Sequence, residues 1–140
     1  MNKILTCLDS SPRADHVLAA AVDLARRTGA KLTLFRSVGL PPELGHDDVI
    51  GVSPNQLIDR LLASARESLE KSSAELPPEL VDGIEVRVGT PWYAICDEAK
   101  TIGADLIVIG SHGYGGVDRI LGTTAAKVVN HADRSVLVVR

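Results

Sequence analysis

Residues 105–127, DLIVIGSHGYGGVDRILGTTAAK, decide the fold. They pass from an apolar segment, through five glycines between Gly110 and Gly122, into a segment of helical composition. An apolar run of this kind is typical of a strand buried on both faces. Glycine loses more backbone freedom on folding than any other residue, so glycines this dense indicate a sharp turn or a backbone that something approaches closely. The stretch predicts a buried strand, a loop suited to close approach, and a helix.

Strands and helices alternate along the rest of the chain. The predicted strands are Ile4–Leu8, Lys31–Val38, Ile84–Val88, Asp105–Ile109 and Ser135–Val139. The third alternates with a period of two, which predicts a half-exposed strand, whereas the fourth is apolar throughout and is predicted to be central.

Helix start and stop signals separate these strands. Ser10-Ser11-Pro12 predicts an N-cap with proline at the first helical position, and Gly29 is predicted to end that helix. Ser53-Pro-Asn-Gln56 is a capping box that opens a long helix. Gly89-Thr-Pro91 is predicted to cap the third helix, and Gly122-Thr-Thr124 to open the last one.

This order of elements predicts an α/β fold. Regular alternation requires a single doubly wound, five-stranded parallel sheet with helices on both faces, Rossmann-like, formed by one domain over residues 1–140. Ligands of such sheets bind beyond the carboxyl ends of the strands, where the strand order reverses. A reversal between the first and fourth strands would bring Asp9 beside the glycine loop.

Composition narrows the class of protein. Hydrophobic residues make up 45% of the chain but aromatic residues only 3%, so the core is predicted to consist of Val, Leu, Ile and Ala. The net charge of −3, without a basic run, argues against a nucleic-acid partner. Neither a signal peptide nor a membrane-spanning run is evident, and we expect a soluble, cytoplasmic protein. Cys7 and Cys96 have no metal-ligand spacing and are interpreted as small core residues.

The glycine loop matches neither common phosphate loop. The sequence contains no Gly-Lys pair, which a P-loop requires, and the loop lacks the third glycine of the dinucleotide fingerprint. The start of a helix at Gly122 is nevertheless an anion site in physical terms, with Thr123 and Thr124 adding hydroxyl donors. A nucleotide is the plausible ligand, and a tight strand-to-helix turn without any ligand is the alternative. Asp9 and Thr123 have an alternative too, since either could simply cap a helix.

Five segments carry a resemblance to a known family: ILTCLDSS at 4–11, ARRTGAKLTLFRSV at 25–38, Gly89-Thr-Pro91, GADLIVIGSHG at 103–113 and VVNHADRSVLVV at 128–139. Over essentially its whole length the chain resembles a universal stress protein. Nucleotide-binding members of that family carry G-x2-G-x9-G-[ST] after a strand. The resemblance implies the universal stress protein fold and a site for ATP, or another adenine nucleotide, with Mg²⁺.

The resemblance also implies which residues form the site. Those beside the base and the ribose would be Cys7, Leu8, Asp9, Val38, Ile109 and Gly110. Asp9 would bind the ribose, and Val38 would meet the adenine through its backbone. Those at the phosphates would be Gly113, Gly122, Thr123 and Thr124, with a divalent metal bridging the phosphates. His112 lies in the same loop, where it could contact phosphate or face solvent. No residue is predicted to be catalytic or to bind a metal directly.

The spacing departs from the family pattern in one respect. Eight residues, not nine, separate Gly113 from Gly122, and the missing one falls between Arg119 and Gly122. In a helix one residue corresponds to a rotation of about 100°. Gly122 and Thr123 could therefore point away from the phosphates, unless the flexible turn at Tyr114–Gly116 compensates.

Three functions follow as hypotheses. The first is a cytoplasmic ATP-binding stress or regulatory protein that acts as a homodimer, with slow ATP hydrolysis at most and an unidentified protein partner as a possibility. The second is a dimeric interaction module that binds no nucleotide, and the third is an enzyme such as a nucleotide-activating ligase. The dimer would form through Val136–Val139, because an apolar strand at a sheet edge invites pairing with a symmetric copy.

Overall fold

Five parallel strands form one sheet in the order β3-β2-β1-β4-β5. The computed structural model describes residues 1–39, 53–111 and 121–140. The strands are β1 (Lys3–Cys7), β2 (Lys31–Val38), β3 (Val81–Val88), β4 (Leu106–Gly110) and β5 (Ser135–Val139). The helices are α1 (Ala14–Thr28), α2 (Pro54–Ala74), α3 (Pro91–Thr101) and α4 (Thr123–His131), and a 3-10 turn spans Pro78–Leu80. The predicted doubly wound α/β architecture is confirmed.

The core has two halves, one on each face of the sheet. Side chains alternate along each strand, so Ile4, Leu34 and Val108 pack under α1 and α2, whereas Leu5 and Ile107 pack under α3 and α4. These side chains are fully buried. Burial of each stabilises the fold by about 1.5–3 kcal/mol relative to exposure. The few aromatic residues leave the core aliphatic, as the composition predicts.

The first and fourth strands are neighbours, and their ends are aligned. β1 pairs with β2 on one side and with β4 on the other, with Thr6 opposite Val108. At the amino ends, Asp105 Oδ2 accepts hydrogen bonds from the backbone N–H groups of Asn2 (2.6 Å) and Lys3 (2.9 Å). These bonds hold the pKa of Asp105 below its ordinary value. The carboxyl ends at Cys7 and Gly110 consequently open onto the same crevice.

Most predicted boundaries are confirmed, and some need correction. Gly29 ends α1 in the left-handed conformation at φ 78°, and Ser53 with Gln56 forms the predicted capping box. The first helix, however, begins at Ala14 with Arg13 as its N-cap, because Ser11 and Pro12 belong to a turn. The fourth strand is interior but not central, since β1 occupies the middle of the sheet.

Two further differences concern the third strand and the second cysteine. β3 begins at Val81, three residues earlier than the predicted Ile84, because its pairing with β2 extends from Val81 to Val88, with one register shift between Leu32 and Thr33. Cys7 is buried as predicted, whereas Cys96 is only partly buried on α3. Among the helices in the described part of the chain, none combines the length and hydropathy that crossing a bilayer requires.

Candidate functional site

A cavity of about 260 Å³ lies at the carboxyl ends of β1 and β4. The amino-terminal ends of α1, α3 and α4 complete its walls. The sequence-predicted residues among its lining are Cys7, Leu8, Asp9, Ile109, Gly110, Gly122, Thr123 and Thr124. The strand reversal therefore brings together two segments that are about a hundred residues apart in the chain.

One part of the cavity wall is apolar. It is formed by side chains from both strands and from two of the surrounding helices: Cys7, Leu8, Val17, Ile95 and Ile109. Burial, reinforced by the nearby Cys96, raises the pKa of the Cys7 thiol far above its ordinary value. Cys7 therefore stays neutral and acts as a small apolar surface. A wall of this kind suits a flat, weakly polar group such as a nucleobase.

The turn between β1 and α1 presents Asp9. Asp9 Oδ1 accepts a hydrogen bond from Ser11 N at 2.9 Å, and Ser11 Oγ accepts one from Arg13 N at 3.3 Å. Such local side-chain bonds are the reason that Asp and Ser favour turns. A carboxylate can accept several hydrogen bonds, so Asp9 retains acceptor capacity for a ligand hydroxyl.

The side chain of Arg36 in β2 donates two hydrogen bonds to the backbone of this turn. Its Nε donates to the carbonyl oxygen of Leu8 at 2.9 Å, and its Nη2 donates to that of Asp9 at 2.8 Å. Arg13 lines the cavity as well.

The start of α4 forms another part of the lining. Gly122 is the N-cap, no side chain of the described residues caps the helix, and the first N–H bonded within it is that of Ala126, to Gly122 O at 2.9 Å. The N–H groups of Thr123, Thr124 and Ala125 have no intrahelical acceptor, as in any helix start. Together with the positive end of the helix dipole they form a site for an anion. Thr123 is the first helical residue, so its alternative interpretation as the N-cap is wrong.

Ser111 anchors this helix start to the sheet. Its N–H donates to Val139 O at 2.8 Å, and its carbonyl oxygen accepts from Gly122 N at 2.6 Å. The register of the start of α4 is thus fixed by backbone bonds at the ends of β4 and β5.

Three predicted site residues are not in the described wall. Val38 lies at the end of β2 and its carbonyl oxygen accepts from Gly89 N at 3.1 Å, but it does not line the cavity. His112 and Gly113 lie outside the described residues. The shortened spacer before Gly122 lies there too, so its effect stays a prediction.

Part of the polar lining could not be predicted from the sequence. The residues that the sequence did not single out are Ser11, Arg13, Arg36, Ser37 and Ser111. One of them had a usable signal, since Arg36 is the only charge inside the otherwise uncharged stretch LTLFRSV of β2. Ser11, Arg13 and Ser111 lie outside the strands and helices, where polar residues are ordinary, and Ser37 is a small polar residue near the end of β2, so none of these carries such a signal.

Comparisons with known proteins point to one family over essentially the whole chain. The model of the universal stress protein family matches residues 1–140. The chain is similar to universal stress protein A homolog 2 of Coxiella burnetii, at 33% identity over 99% of this chain and 94% of that protein. A universal stress protein of Synechocystis is 30% identical over 99% of this chain and 97% of that protein. Among solved structures, universal stress protein UspA from Lactobacillus plantarum has a TM-score of 0.78 at 29% identity, covering 99% of this chain and 97% of that one.

Proposed function

The chain belongs to the universal stress protein family, and from that premise we propose that it binds an adenine nucleotide in the cavity between β1 and β4. The observation that carries this proposal is that one cavity is lined both by apolar side chains and by a helix start that no described side chain caps. The apolar wall takes the base, Asp9 the ribose, and the start of α4 the phosphates. ATP is the form we propose.

Useful affinity requires both the apolar lining of the cavity and the start of α4. The helix dipole contributes only about 0.3–1 kcal/mol per charge, whereas micromolar affinity needs about 8 kcal/mol. Hydrogen bonds to a charged phosphate contribute about 1.5–3 kcal/mol each. Several of these, together with burial of the base, reach the required sum, so a free inorganic anion binds far more weakly than a nucleotide.

Two solved structures of the same fold contain adenine nucleotides. One is a universal stress protein in complex with cAMP, with a TM-score of 0.62 at 24% identity. The other is the universal stress protein from Archaeoglobus fulgidus in complex with dAMP, with a TM-score of 0.61 at 23% identity. At these identities they show a shared fold, and their ligands belong to those proteins. The two ligands support the proposal because both are adenine nucleotides, the class of ligand that we assign to this cavity.

Mg²⁺ fits this site as a partner of the phosphates. Within the described ranges no three His, Cys, Asp or Glu side chains gather as a metal site. The donors near α4 are instead the hydroxyls of Thr123 and Thr124. Mg²⁺ commonly keeps several waters and binds mainly through substrate phosphates. It would supply charge neutralisation to the phosphates, with these two hydroxyls as the protein's contribution.

We propose binding without efficient turnover. Asp9 is the one carboxylate on the described wall, and its Oδ1 already accepts from Ser11 N. A general base has to reach the proton that it abstracts, and neither Arg13 nor Arg36 can serve as one at neutral pH. Steady turnover near the ordinary enzyme rate of about 10 s⁻¹ would contradict this.

We also propose a homodimer and a cytoplasmic location. β5 lies at the sheet edge and exposes Leu137, so a second copy could extend the sheet there. Both cysteines are free thiols, which suits a reducing compartment.

Titration of nucleotide-free protein with ATP and Mg²⁺ tests the proposal. Asp9→Asn should lower the affinity while leaving the fold intact, because the amide oxygen can still accept from Ser11 N. Asp59→Asn is the control, since Asp59 is exposed on α2 and does not line the cavity. Saturable binding that is weakened only by the Asp9 variant supports the assignment. Absence of binding by the wild type favours the alternative of a dimeric interaction module.

A further inference from the structure

Glu98 is the one charged residue that is buried in the described part of the chain. It is 5% exposed on α3, a helix whose other buried residues are apolar. Arg87 of β3 reaches it, since its Nη1 donates to Glu98 Oε2 at 3.2 Å and its Nη2 lies 2.8 Å from Asp97 Oδ2. These three residues, called the fork below, tie α3 to a strand at the edge of the sheet.

Stability does not account for the ionised carboxylate of Glu98. Burial, reinforced by Glu85 of β3 and by Asp97, raises the pKa of Glu98, although Arg87 acts in the opposite direction. A raised carboxyl pKa means that the fold disfavours the ionised form relative to the unfolded chain. For the same reason, replacing a buried ion pair by apolar side chains of similar volume is often neutral or stabilising. The fork therefore calls for an explanation other than stability.

The fork lies one helical turn from the cavity. Ile95 precedes Glu98 by three residues, so the two side chains project from the same face of α3. Ile95 belongs to the apolar lining, as does Pro91 at the start of the helix. The turn at Gly89, which is bonded to the end of β2, fixes where α3 begins. The fork fixes how its second turn lies against β3.

The carboxyl end of α3 is held independently of the fork. Arg134 Nη1 donates to the carbonyl oxygens of Ala99 and Ala104, each at 2.7 Å. Loss of the fork should therefore displace the body of α3 without detaching the helix.

We infer that Arg87 is a positioning residue, which through Asp97 and Glu98 holds Ile95 where the apolar lining of the cavity requires it. The effect on binding rests on the proposed function, and none of the three fork residues lines the cavity. Protein interiors are close-packed, so a small displacement of α3 changes the space that is left for a nucleobase.

Trp92 reports the placement of α3 without any ligand. It is the only tryptophan of the chain and lies in the first turn of α3. Its ring centroid is 4.5 Å from that of His131 on α4 and 5.9 Å from that of Tyr93. A displacement of α3 relative to α4 changes these contacts, and the fluorescence emission of Trp92 with them.

The experiment replaces the buried pair in Arg87→Met/Glu98→Leu and measures denaturant unfolding, Trp92 emission and the dissociation constant for adenosine. We expect an unfolding midpoint at or above that of the wild type, and a shifted emission. Adenosine binding should weaken about tenfold, which corresponds to about 1.4 kcal/mol. If the double variant does not fold, Glu98→Leu alone, in which Arg87 keeps Asp97, should show the same two changes.

Two further variants separate positioning from other effects. Glu98→Gln keeps an oxygen that can accept from Arg87 and should match the wild type in emission and in adenosine binding. Arg27→Met/Asp23→Leu removes an exposed arginine–carboxylate pair on α1 and should also leave both unchanged.

The outcomes distinguish this inference from the proposed function. Unchanged emission and adenosine binding in the folded Arg87→Met/Glu98→Leu variant refute the inference, and a lower unfolding midpoint in that case assigns the fork to stability alone. If the wild type does not bind adenosine, the proposed function is wrong, and Trp92 emission decides the inference. A shift in the double variant that is absent from Glu98→Gln and from the α1 control supports it, whereas equal emission in all of these proteins refutes it.

Discussion

Arg36 Nη2 donates a hydrogen bond to the carbonyl oxygen of Asp9 at 2.8 Å. The same guanidinium holds the carbonyl oxygen of Leu8 at 2.9 Å, so one side chain of β2 fixes two consecutive peptide groups at the end of β1. The planar fork of arginine suits such paired acceptors, and lysine cannot reproduce it. The position of Asp9 over the cavity thus depends on a residue of the neighbouring strand.

Arg36→Lys should therefore weaken both stability and ligand binding. Loss of the paired bonds is expected to lower the free energy of unfolding by about 1–2 kcal/mol, and to weaken adenosine binding because Asp9 is less well positioned. Denaturant unfolding and adenosine titration measure the two effects. Arg27→Lys is the control, since among the described residues Arg27 pairs with Asp23 at an exposed position of α1. Equal behaviour of the two variants in both assays would refute the positioning role.

The proposed dimer surface can be tested with two residues of equal exposure. Leu137 on β5 is 39% exposed, and Val88 on β3, the opposite edge of the sheet, is 38% exposed. Leu137→Glu should convert a dimer to a monomer at micromolar concentration, because it places a charge in an apolar contact. Val88→Glu should leave the dimer intact. Sedimentation equilibrium measures the mass, and a monomeric wild type would overturn the dimer proposal.

Asp105 should make stability depend on acid pH. Its carboxylate accepts the N–H groups of Asn2 and Lys3, which lowers its pKa in the folded protein. A depressed carboxyl pKa stabilises the fold fully above the unfolded value of about 3.9, and this contribution disappears as the pH falls through the lowered folded value.

The free energy of unfolding of Asp105→Asn is measured relative to that of the wild type, from neutral pH down to below the lowered pKa of Asp105 in the folded protein. The variant should be less stable at neutral pH, and the difference should shrink as the pH is lowered through the acid window. Asp59→Asn, at an exposed position of α2, serves as the control. A difference for Asp105→Asn that stays constant down to the lowest pH would contradict the assignment.

The order of elements could be predicted from sequence because it follows from short-range patterns. Gly29 and the Ser53 capping box act through their own backbone and near neighbours, so their effects can be deduced from a few residues. The start of α1 was placed wrongly because Ser11 uses its hydroxyl in a turn and not in a cap. A serine before a proline supports either arrangement, and the choice depends on Asp9 and Arg36.

The polar half of the site could not be deduced in the same way. Ser111 becomes notable only when its burial, its missing partner and its closeness to Gly122 are seen together. Arg36 joins the cavity through contacts with residues 27 and 28 positions away in the chain. Such relationships arise from strand order, which propensities and spacing do not specify.

The most direct test of nucleotide binding is to determine the identity and amount of nucleotide that the purified protein releases when it is denatured. The released material is separated by chromatography, and the emptied protein is then titrated with ATP and Mg²⁺. We expect an adenine nucleotide, released in equimolar amount or bound saturably by the emptied protein. Release of no nucleotide, with no saturable binding in the titration, would contradict it.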